Sequence, residues 1–600
     1  MAGASNRFFL GVEKSVLGRP WRDRLDGDGE ARALAIAQSY GHSDLLARII
    51  AARGIGVEGC AAYLDPTLRA LMPDPDCLQD MAAAVDRLAH AIEQSETVAI
   101  FGDYDVDGAC ATALMAGFLA ACGTPFVIHI PDRIFEGYGP NVEAIRALAG
   151  QGARLLVTVD CGTTSFVPLE EARALGLDAI VVDHHQAPVE LPKALAIVNP
   201  NRQDDLSGLG QLSATGVAYM LLVGLNRALR QRGFWSAARP APDLLESLDL
   251  VALATIADVV PLSGLNRAFV AKGLTVMRAR RRPGLAALLD VAGAGGPPSS
   301  YHLGFLVGPR INAGGRIGDA ALGAKLLLMD DAAEAARIAA HLDRLNRERQ
   351  AIELATVAEA EAEALASLGL AEEGVVVVTA GETWHAGVVG LVAARLKERF
   401  QRPAFAIAFT GEIGTGSGRS IEGADLGGAI RKAVTAGLLV KGGGHAMAAG
   451  VTIEKRRLGD FRAFLEGELA DSVGRAQLGA ALYVDAALTA AAARPELVAA
   501  FERAGPFGSA NPEPIFAFPS HRLVDVAEVG AGHMRIRALA GDRTRLDAIA
   551  FRAAGKPLGQ ALASARGGSP VHLAGHLSVD RWGGGERMQL RLVDMALPTR

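Results

Sequence analysis

Three aspartates, Asp103, Asp105 and Asp107, stand at alternate positions in FGDYDVDG, residues 101–108, directly after an apolar run. A carboxylate at the end of a buried strand is costly to desolvate, and three together call for a counter-charge, most simply a divalent cation. The pattern recurs further on. Asp160 follows RLLVTV, Asp183 follows DAIVV and leads into His184 and His185, and Asp258 closes ALATIAD. Hard carboxylate oxygens with one or two imidazoles suit Mn2+ or Mg2+ and could hold Zn2+; no cysteine cluster competes for the role. Two such ions about 3.5–4 Å apart, sharing a carboxylate, form a clamp for phosphate-ester hydrolysis. One lowers the pKa of a water, and both offset transition-state charge. An Asp-rich turn or a surface histidine pair is the plain alternative for each piece alone. Four such features at successive strand ends favour the metal site.

The elements that must carry these residues are short, continuous apolar runs: TVAIF, FVIHI, RLLVTV, DAIVV and ALAIV. Helical patterns such as ATALMAGFLAACG lie between several of them, so a parallel, doubly wound sheet is expected. Sites in such sheets lie at the carboxyl ends of strands, where these acids fall. Residues 331–368 contain no Pro or Gly and carry the stripe Ile338, Leu342, Leu345 and Ile352, which predicts one helix about 57 Å long, a spacer between domains. GVVVVTA at 374 opens a second, glycine-rich α/β unit to about 470. After Pro506 the pattern turns to short alternating strands without helices, as in a small β-barrel or sandwich. Residues 1–75 read as helical and carry no evident chemistry. The expected division is 1–75, 76–330, 331–369, 370–475 and 476–600.

At 600 residues, with 50% hydrophobic and 21% charged residues, the chain is long enough for three or four folded domains. The N-terminus lacks an apolar signal core, no run of about 18 apolar residues suggests a membrane span, and the five cysteines have no CxxC pairing. A reducing cytoplasm is the expected compartment. The net charge of −6 argues against a nucleic-acid partner, but residues 515–600 hold 12 Lys and Arg against 7 Asp and Glu. Arg535, Arg537, Arg543, Arg545, Arg552, Arg581 and Arg587, with Phe551 and Trp582 among them, suit single-strand binding; a solvated charged face is the alternative.

Phosphate contacts have candidates in the middle of the chain. GGGH, at Gly443, Gly444 and His445, exposes backbone N–H groups without side-chain obstruction. GSGRS places Arg419 between Ser417 and Ser420, and PRINAGGR supplies Arg310, Asn312 and Arg316. A tight turn is the plain reading of either glycine run by itself.

DYDVDG, VDCG, DHH and ATIADVVPL together resemble the four motifs of the DHH phosphoesterase superfamily. GPRINAGGRIGDA, HAGVVGLVAARL, GSGRS, GGGHAMAAG, GPFGSANPEPIF and DRWGGGERMQLRLVDM narrow the resemblance, across residues 75–600, to its RecJ family of single-stranded-DNA exonucleases. The resemblance implies a DHH catalytic domain, a DHHA1 substrate-binding domain and a C-terminal OB-type barrel, with a central hole that admits a single strand and excludes a duplex. It implies two Mn2+ or Mg2+ ions: Asp160 bridging, Asp105 on the first, and Asp107, His184 and Asp258 on the second. It further implies His185 on the scissile phosphate, Asp183 orienting the histidines, and Arg133 near a 5′ phosphate. Tyr138 would stack on a base or pack, and His385 would shape the groove. Many superfamily members have a histidine ligand where this chain has Phe101, which leaves Asp103 as a further ligand candidate for the first ion.

The implied activity is 5′-to-3′ hydrolysis of single-stranded DNA to 5′-mononucleotides in recombination and repair. A helicase and a single-strand-binding protein are the implied partners. Two other classes remain: a phosphodiesterase for short oligonucleotides or cyclic dinucleotides, which needs only about half this length, and a catalytically dead DNA-binding scaffold, which the intact acids oppose.

Overall fold

The computed structural model describes residues 8–369, 373–580 and 586–598. It divides into two compact units. One comprises Pro73–Val260 and Phe269–Gly479; the other joins Met1–Met72, Pro261–Ala268 and Ala480–Arg600.

The larger unit contains the expected parallel sheet. Its strands run in the order Phe126–His129, Val98–Gly102, Leu155–Val159, Asp178–Val182, Ala196–Val198, all parallel. The three central strands read as unbroken apolar runs because helices cover both faces. The chain turns to one side after the 98–102 strand and to the other for the 155–159 strand. The switch point between them is where a doubly wound sheet opens a crevice at its carboxyl edge. Asp103 and Asp160 are the first residues beyond those two strands.

The predicted spacer is a single helix, Ala332–Leu368. Asp331 caps it by accepting from the Glu334 N–H at 2.8 Å, and Gly369, at φ 71°, ends it. At 37 residues it is about 56 Å long. Beyond it lies a five-stranded sheet in the order Lys441–His445, Ala448–Glu454, Ile413–Arg419, Ala404–Thr410, Val377–Gly381. Its Lys441–His445 edge is an exposed, glycine-rich strand.

The smaller unit is built on a closed barrel. Strands Phe516–Val529, His533–Leu539, Arg545–Ala550, Arg587–Ala596 and Val571–Asp580 pair in that order, and the last returns to the first. Residues 8–72, expected as part of a separate segment, fold into this unit. Helices Gly27–Tyr40 and Asp44–Ala51 bring Ile36, Leu46, Ile49 and Ile50 into one apolar cluster with Phe501, Phe516 and Phe518. Strand Trp21–Asp23 pairs in parallel with Leu482–Val484. The fully buried Trp21 donates its Nε1–H to Asp594 at 3.1 Å. Buried Asp485 binds Arg53 at 2.9 Å and Arg24 at 3.1 Å and accepts from the Ile515 N–H. Among the described residues no helix is long and apolar enough to cross a membrane.

Replacing Asp485 by alanine leaves two cations facing a buried, uncompensated site. The Asp485→Ala variant is expected to lower the stability of this unit by about 3–5 kcal/mol, read as an earlier urea midpoint.

Candidate active site

The four acidic motifs converge at the carboxyl edge of the parallel sheet. Asp105 caps helix Val106–Cys122 by accepting from the Gly108 N–H at 3.1 Å, which leaves its other oxygen free of that role. Gly108 is required here, because a Cβ would lie 2.5 Å from the Asp103 carbonyl oxygen. Asp107 is almost fully buried at the foot of helix Ala214–Gln231. It accepts from the N–H groups of Ala214 (2.7 Å) and Thr215 (2.8 Å) and from the Thr215 hydroxyl (2.6 Å). Those donors fix its orientation at the start of that helix. One lone pair remains on Oδ2, 3.8 Å from His184 Nε2.

Asp160 carries the site's most constrained backbone, with φ 63°. A non-glycine residue in this region costs of order 1–3 kcal/mol, and such outliers cluster at functional sites. The carboxylate is 2% exposed, and its Oδ1 has no hydrogen-bond donor. Asp103 Oδ1 is orphaned in the same way.

His184 is oriented by a contact of 3.0 Å between Nδ1 and the Leu212 carbonyl oxygen, which makes Nδ1 the protonated nitrogen. Its Nε2 lone pair faces Asp160 at 3.4 Å, Asp258 at 3.6 Å and Asp107. Asp183 is saturated by the backbone N–H groups of His184 and His185, the His185 Nδ1–H at 2.8 Å, and the Thr163 N–H at 3.1 Å. It orients both histidines, with three of its four donors on Oδ1. Tyr138 donates to the Asp160 carbonyl and lies 3.1 Å from His185 Nδ1.

The protonation preferences follow from these partners. Burial and then neighbouring charge push Asp103, with Asp105 beside it, and Asp160, among Asp107, Asp105, Asp103 and Asp258, well above the usual carboxylate range. Asp258 rises to about 8 through burial and its neighbours Asp107 and Asp105. Burial acts upward on Asp183 too, but its bond to His185 prevails and holds it well below the ordinary value. Burial acts downward on His185, yet Asp183 and the surrounding carboxylates raise it to about 9.

This arrangement fits divalent cations. Three sets of donor atoms lie within 4.8 Å of one another: Asp103, Asp105 and Asp160; Asp107, His184 and Asp258; and Asp160, His184 and His185. Asp160 belongs to two sets, and orphaned carboxylate oxygens at Asp103 and Asp160 are what a hard cation would engage. Phe101, fully buried in its strand against the His129 ring at 5.0 Å, is a core residue.

Above the acids lies a cationic counterpart. The Arg133 guanidinium sits 5.0 Å over the Tyr104 ring. Arg316, whose Nη1 donates to the Gly387 carbonyl, is lowered to about 10 by burial and by Arg133, Arg349 and Arg419. Arg419 donates to Ser417 Oγ at 2.8 Å and is lowered by burial and by Arg133. Among the described residues, none of Arg133, Arg316 and Arg419 pairs with a carboxylate. Glycines allow the close approach: a Cβ on Gly315 would fall 2.5 Å from the Tyr104 carbonyl, and one on Gly387 would fall 2.2 Å from the Arg316 carbonyl. His385 Nδ1 accepts from the Gly387 N–H and shapes this turn. His445, on the exposed 441–445 strand with Gly443 and Gly444, is lowered by burial and by His185 and His184.

Two of the residues expected at the substrate are engaged elsewhere. The Arg310 guanidinium is held by Asp343 on the long helix and the Leu306 carbonyl. The buried Ser420 hydroxyl donates to the Ala424 carbonyl at 2.7 Å. Asn312 is half-buried on the Gly308–Ile317 helix. Arg349 was not singled out by the sequence. It sits on the long helix, held by Asn346 and Glu353. Its signal was a polar triplet at i, i+3 and i+7 on an otherwise apolar face.

Family models match in chain order: the DHH family N-terminal domain at residues 97–255, the DHHA1 domain at 372–471 and the RecJ OB domain at 484–594. The single-stranded-DNA-specific exonuclease RecJ of Dickeya dadantii is 39% identical over 84% of this chain and 89% of its own. The chain belongs to the RecJ family. The Escherichia coli exonuclease of the same description is 36% identical over 92% of this chain and 96% of its own. The crystal structure of RecJ from Thermus thermophilus in complex with Mn2+ matches with a TM-score of 0.78 at 29% identity, covering 97% of this chain and 80% of that one. Its Mg2+ complex matches at 0.73.

Carboxylates with raised pKa values bind protons more tightly in the folded chain than in the unfolded one. The stability they contribute is fully present below the ordinary carboxylate range and is lost as pH rises through about 8. Mn2+ at a fixed concentration about 100 times its Kd at pH 8.5 is therefore expected to add about 2.7 kcal/mol there in a thermal-shift experiment, and to raise Tm less near pH 6, where protons compete for the carboxylates. Asp160→Asn removes most of the rise.

Proposed function

We propose that this protein is a single-stranded-DNA exonuclease that removes 5′-mononucleotides in the 5′-to-3′ direction, using two divalent ions. The observation that carries this reading is the placement of carboxylate-free arginines beside an acidic cluster with orphaned oxygens. Asp103, Asp105 and Asp160 would hold one ion, and Asp160, Asp107, His184 and Asp258 the other. When bound, Mn2+ or Mg2+ would lower the pKa of a water and offset charge at phosphorus.

The chain's own groups supply the rest. His185 is charged below pH about 9, and Asp183 occupies its Nδ1–H, so Nε2–H is the donor left for a non-bridging oxygen of the scissile phosphate. Half-buried cations without carboxylate partners favour an anion, and a terminal phosphate supplies two charges. Arg133, Arg316, Arg419 and Ser417 would hold the 5′ phosphate and so set the polarity. Gly443 and Gly444 expose backbone at an unpaired sheet edge, where following phosphates can approach. Tyr138, half-exposed and tied to Asp160 and His185, would pack against the terminal nucleotide.

The barrel adds a second basic surface. Arg537 and Arg587 line a pocket with Leu546, Met588 and Arg545, whose guanidinium is held by Asp547, and the exposed Phe551 ring stands against His533. Arg581 and Trp582 lie outside the described residues. Basic groups beside an aromatic platform suit a single strand. This activity would serve recombination and repair in the cytoplasm, with a helicase supplying single strands and a single-strand-binding protein guarding them.

End-labelled strands test the reading. Wild type with Mn2+ should shorten single strands stepwise from the 5′ end and leave duplexes intact. Asp160→Ala should be inactive, and His185→Ala should lose about 10²–10³ in kcat. Arg419→Ala should raise KM about 10- to 100-fold on 5′-phosphorylated strands and far less on 5′-hydroxyl strands, as expected for a lost charge-assisted pair. Cleavage of dinucleotides alone would replace this reading with the small-substrate phosphodiesterase.

A further inference from the structure

The helix that carries Arg316 begins before the Gly308–Ile317 segment. A π-helical stretch, His302–Val307, runs straight into it, so the two form one rod within the larger unit. His302 Nδ1 accepts from the Ser299 N–H at 3.1 Å and fixes the start of the rod. π-Helical turns are rare and concentrate at functional sites.

The rod is two-sided. Leu303, Val307, Ile311 and Gly314 are buried. Tyr301, Phe305, Pro309, Asn312 and Arg316, three or four residues apart, form the stripe that reaches the surface. The first part of that stripe is aromatic. Tyr301 is 55% exposed and Phe305 70%. Their rings stack on each other, with centroids 5.3 Å apart and planes 24° from parallel. Such a pair adds only about 0.2–0.5 kcal/mol to its own helix, which does not account for two large rings left side by side in water.

The rod also runs along the candidate active site. Its middle presses on the last residues before Asp258: a Cβ on Gly304 would fall 3.3 Å from Ile256 Cγ2, and one on Gly308 would fall 3.4 Å from Ala257 Cβ. Arg316, assigned above to the 5′ phosphate, is at one end; the level of Asp258 follows; the ring pair is at the other end. A strand with its 5′ end at Arg316 would meet them in that order. Phe305 and Arg316 are eleven residues apart, about 16 Å along the axis. A stacked strand advances about 3.4 Å per nucleotide, and an extended one more, which brings the rings level with bases about three to five nucleotides from the 5′ end.

We propose that Tyr301 and Phe305 form a stacking platform for bases of the single strand on the 3′ side of the scissile phosphate. The inference rests on the exonuclease reading above and adds a site for bases to its sites for phosphates. Every base has a π-face, so the platform holds a strand without reading its sequence. A duplex keeps those faces covered by neighbouring pairs, so the platform also favours single strands.

The test uses the full chain and short 5′-phosphorylated single strands, either intact or lacking one base at a chosen position. Fluorescence anisotropy with Ca2+ in place of Mn2+ reads binding, and hydrolysis with Mn2+ reads KM and kcat. For wild type, a missing base about three to five nucleotides from the 5′ end should weaken binding about 10-fold, and one near the 3′ end far less. Tyr301→Ala and Phe305→Ala should each weaken binding of the intact strand about 10-fold, and raise KM far more than they change kcat. In the Phe305→Ala chain the penalty for the missing base should fall to within about twofold, because the lost base and the lost ring belong to one interaction. Phe305→Trp should keep the penalty. Phe305→Leu, which keeps apolar bulk without a ring, should lose it, and decides the matter if the alanine chains do not fold. A merely structural role would lower Tm and kcat together and leave the penalty in place. A penalty that survives these substitutions, or that is the same at every position, overturns the proposal. A wild-type chain that binds strands but cuts none would instead sink the exonuclease reading, and the anisotropy comparison would still judge the platform.

Discussion

Like charges forced together at the open edge of a parallel sheet are the constraint around which the larger unit is arranged. Asp103 and Asp160 emerge from neighbouring strands at the switch point and are both buried there. Asp105, Asp107 and Asp258 are brought in by helix ends. The protein distributes its hydrogen bonds selectively among them. Asp183 and Asp107 receive three or more donors each, whereas one oxygen of Asp103 and one of Asp160 receive none. Asp183 fixes the histidines and Asp107 is anchored to a helix with one lone pair to spare, while the oxygens without donors face each other. Such a cluster is stable when something positive enters it.

The basic groups mirror this imbalance. Arg310, Arg395 and Arg402 are committed to acids or carbonyls that hold the scaffold. Arg133, Arg316 and Arg419 are gathered without an acid pair among the described residues, and burial together with the charge of Arg133 lowers both Arg316 and Arg419. An acidic site wanting cations and a basic site wanting an anion, side by side, match a terminal phosphate followed by a scissile one. Glycines at 108, 315, 387 and 390 make the proximity possible, each where a Cβ would meet a neighbour closer than about 3.2 Å.

Much of this was legible in the sequence because strand-end chemistry is local. FGDYDVDG, VDCG and DHH each sit within a residue or two of an apolar run, so their side chains must share one edge once the strands are parallel. The long helix was legible for the same reason, from an uninterrupted stretch with a cap and a glycine stop. Long-range pairing was not. Nothing in WRD at 21–23 announces a partner at 482–484, and the helical residues 1–72 gave no sign that they close the core of a barrel more than 400 residues away. Arg310 and Ser420 fit the motif pattern of substrate contacts, but the Asp343 carboxylate and the Ala424 backbone carbonyl engage them instead. Arg349 escaped notice because a buried arginine on a helix has no sequence signature beyond an interrupted apolar face.

The proposed activity needs two cations held through a common Asp160. Isothermal titration of the metal-free chain with Mn2+ near pH 8 measures this directly. Two bound ions per chain are predicted, with Asp160→Asn weakening both and Asp258→Asn weakening one. A stoichiometry of one, or binding that Asp160→Asn leaves unchanged, would contradict it.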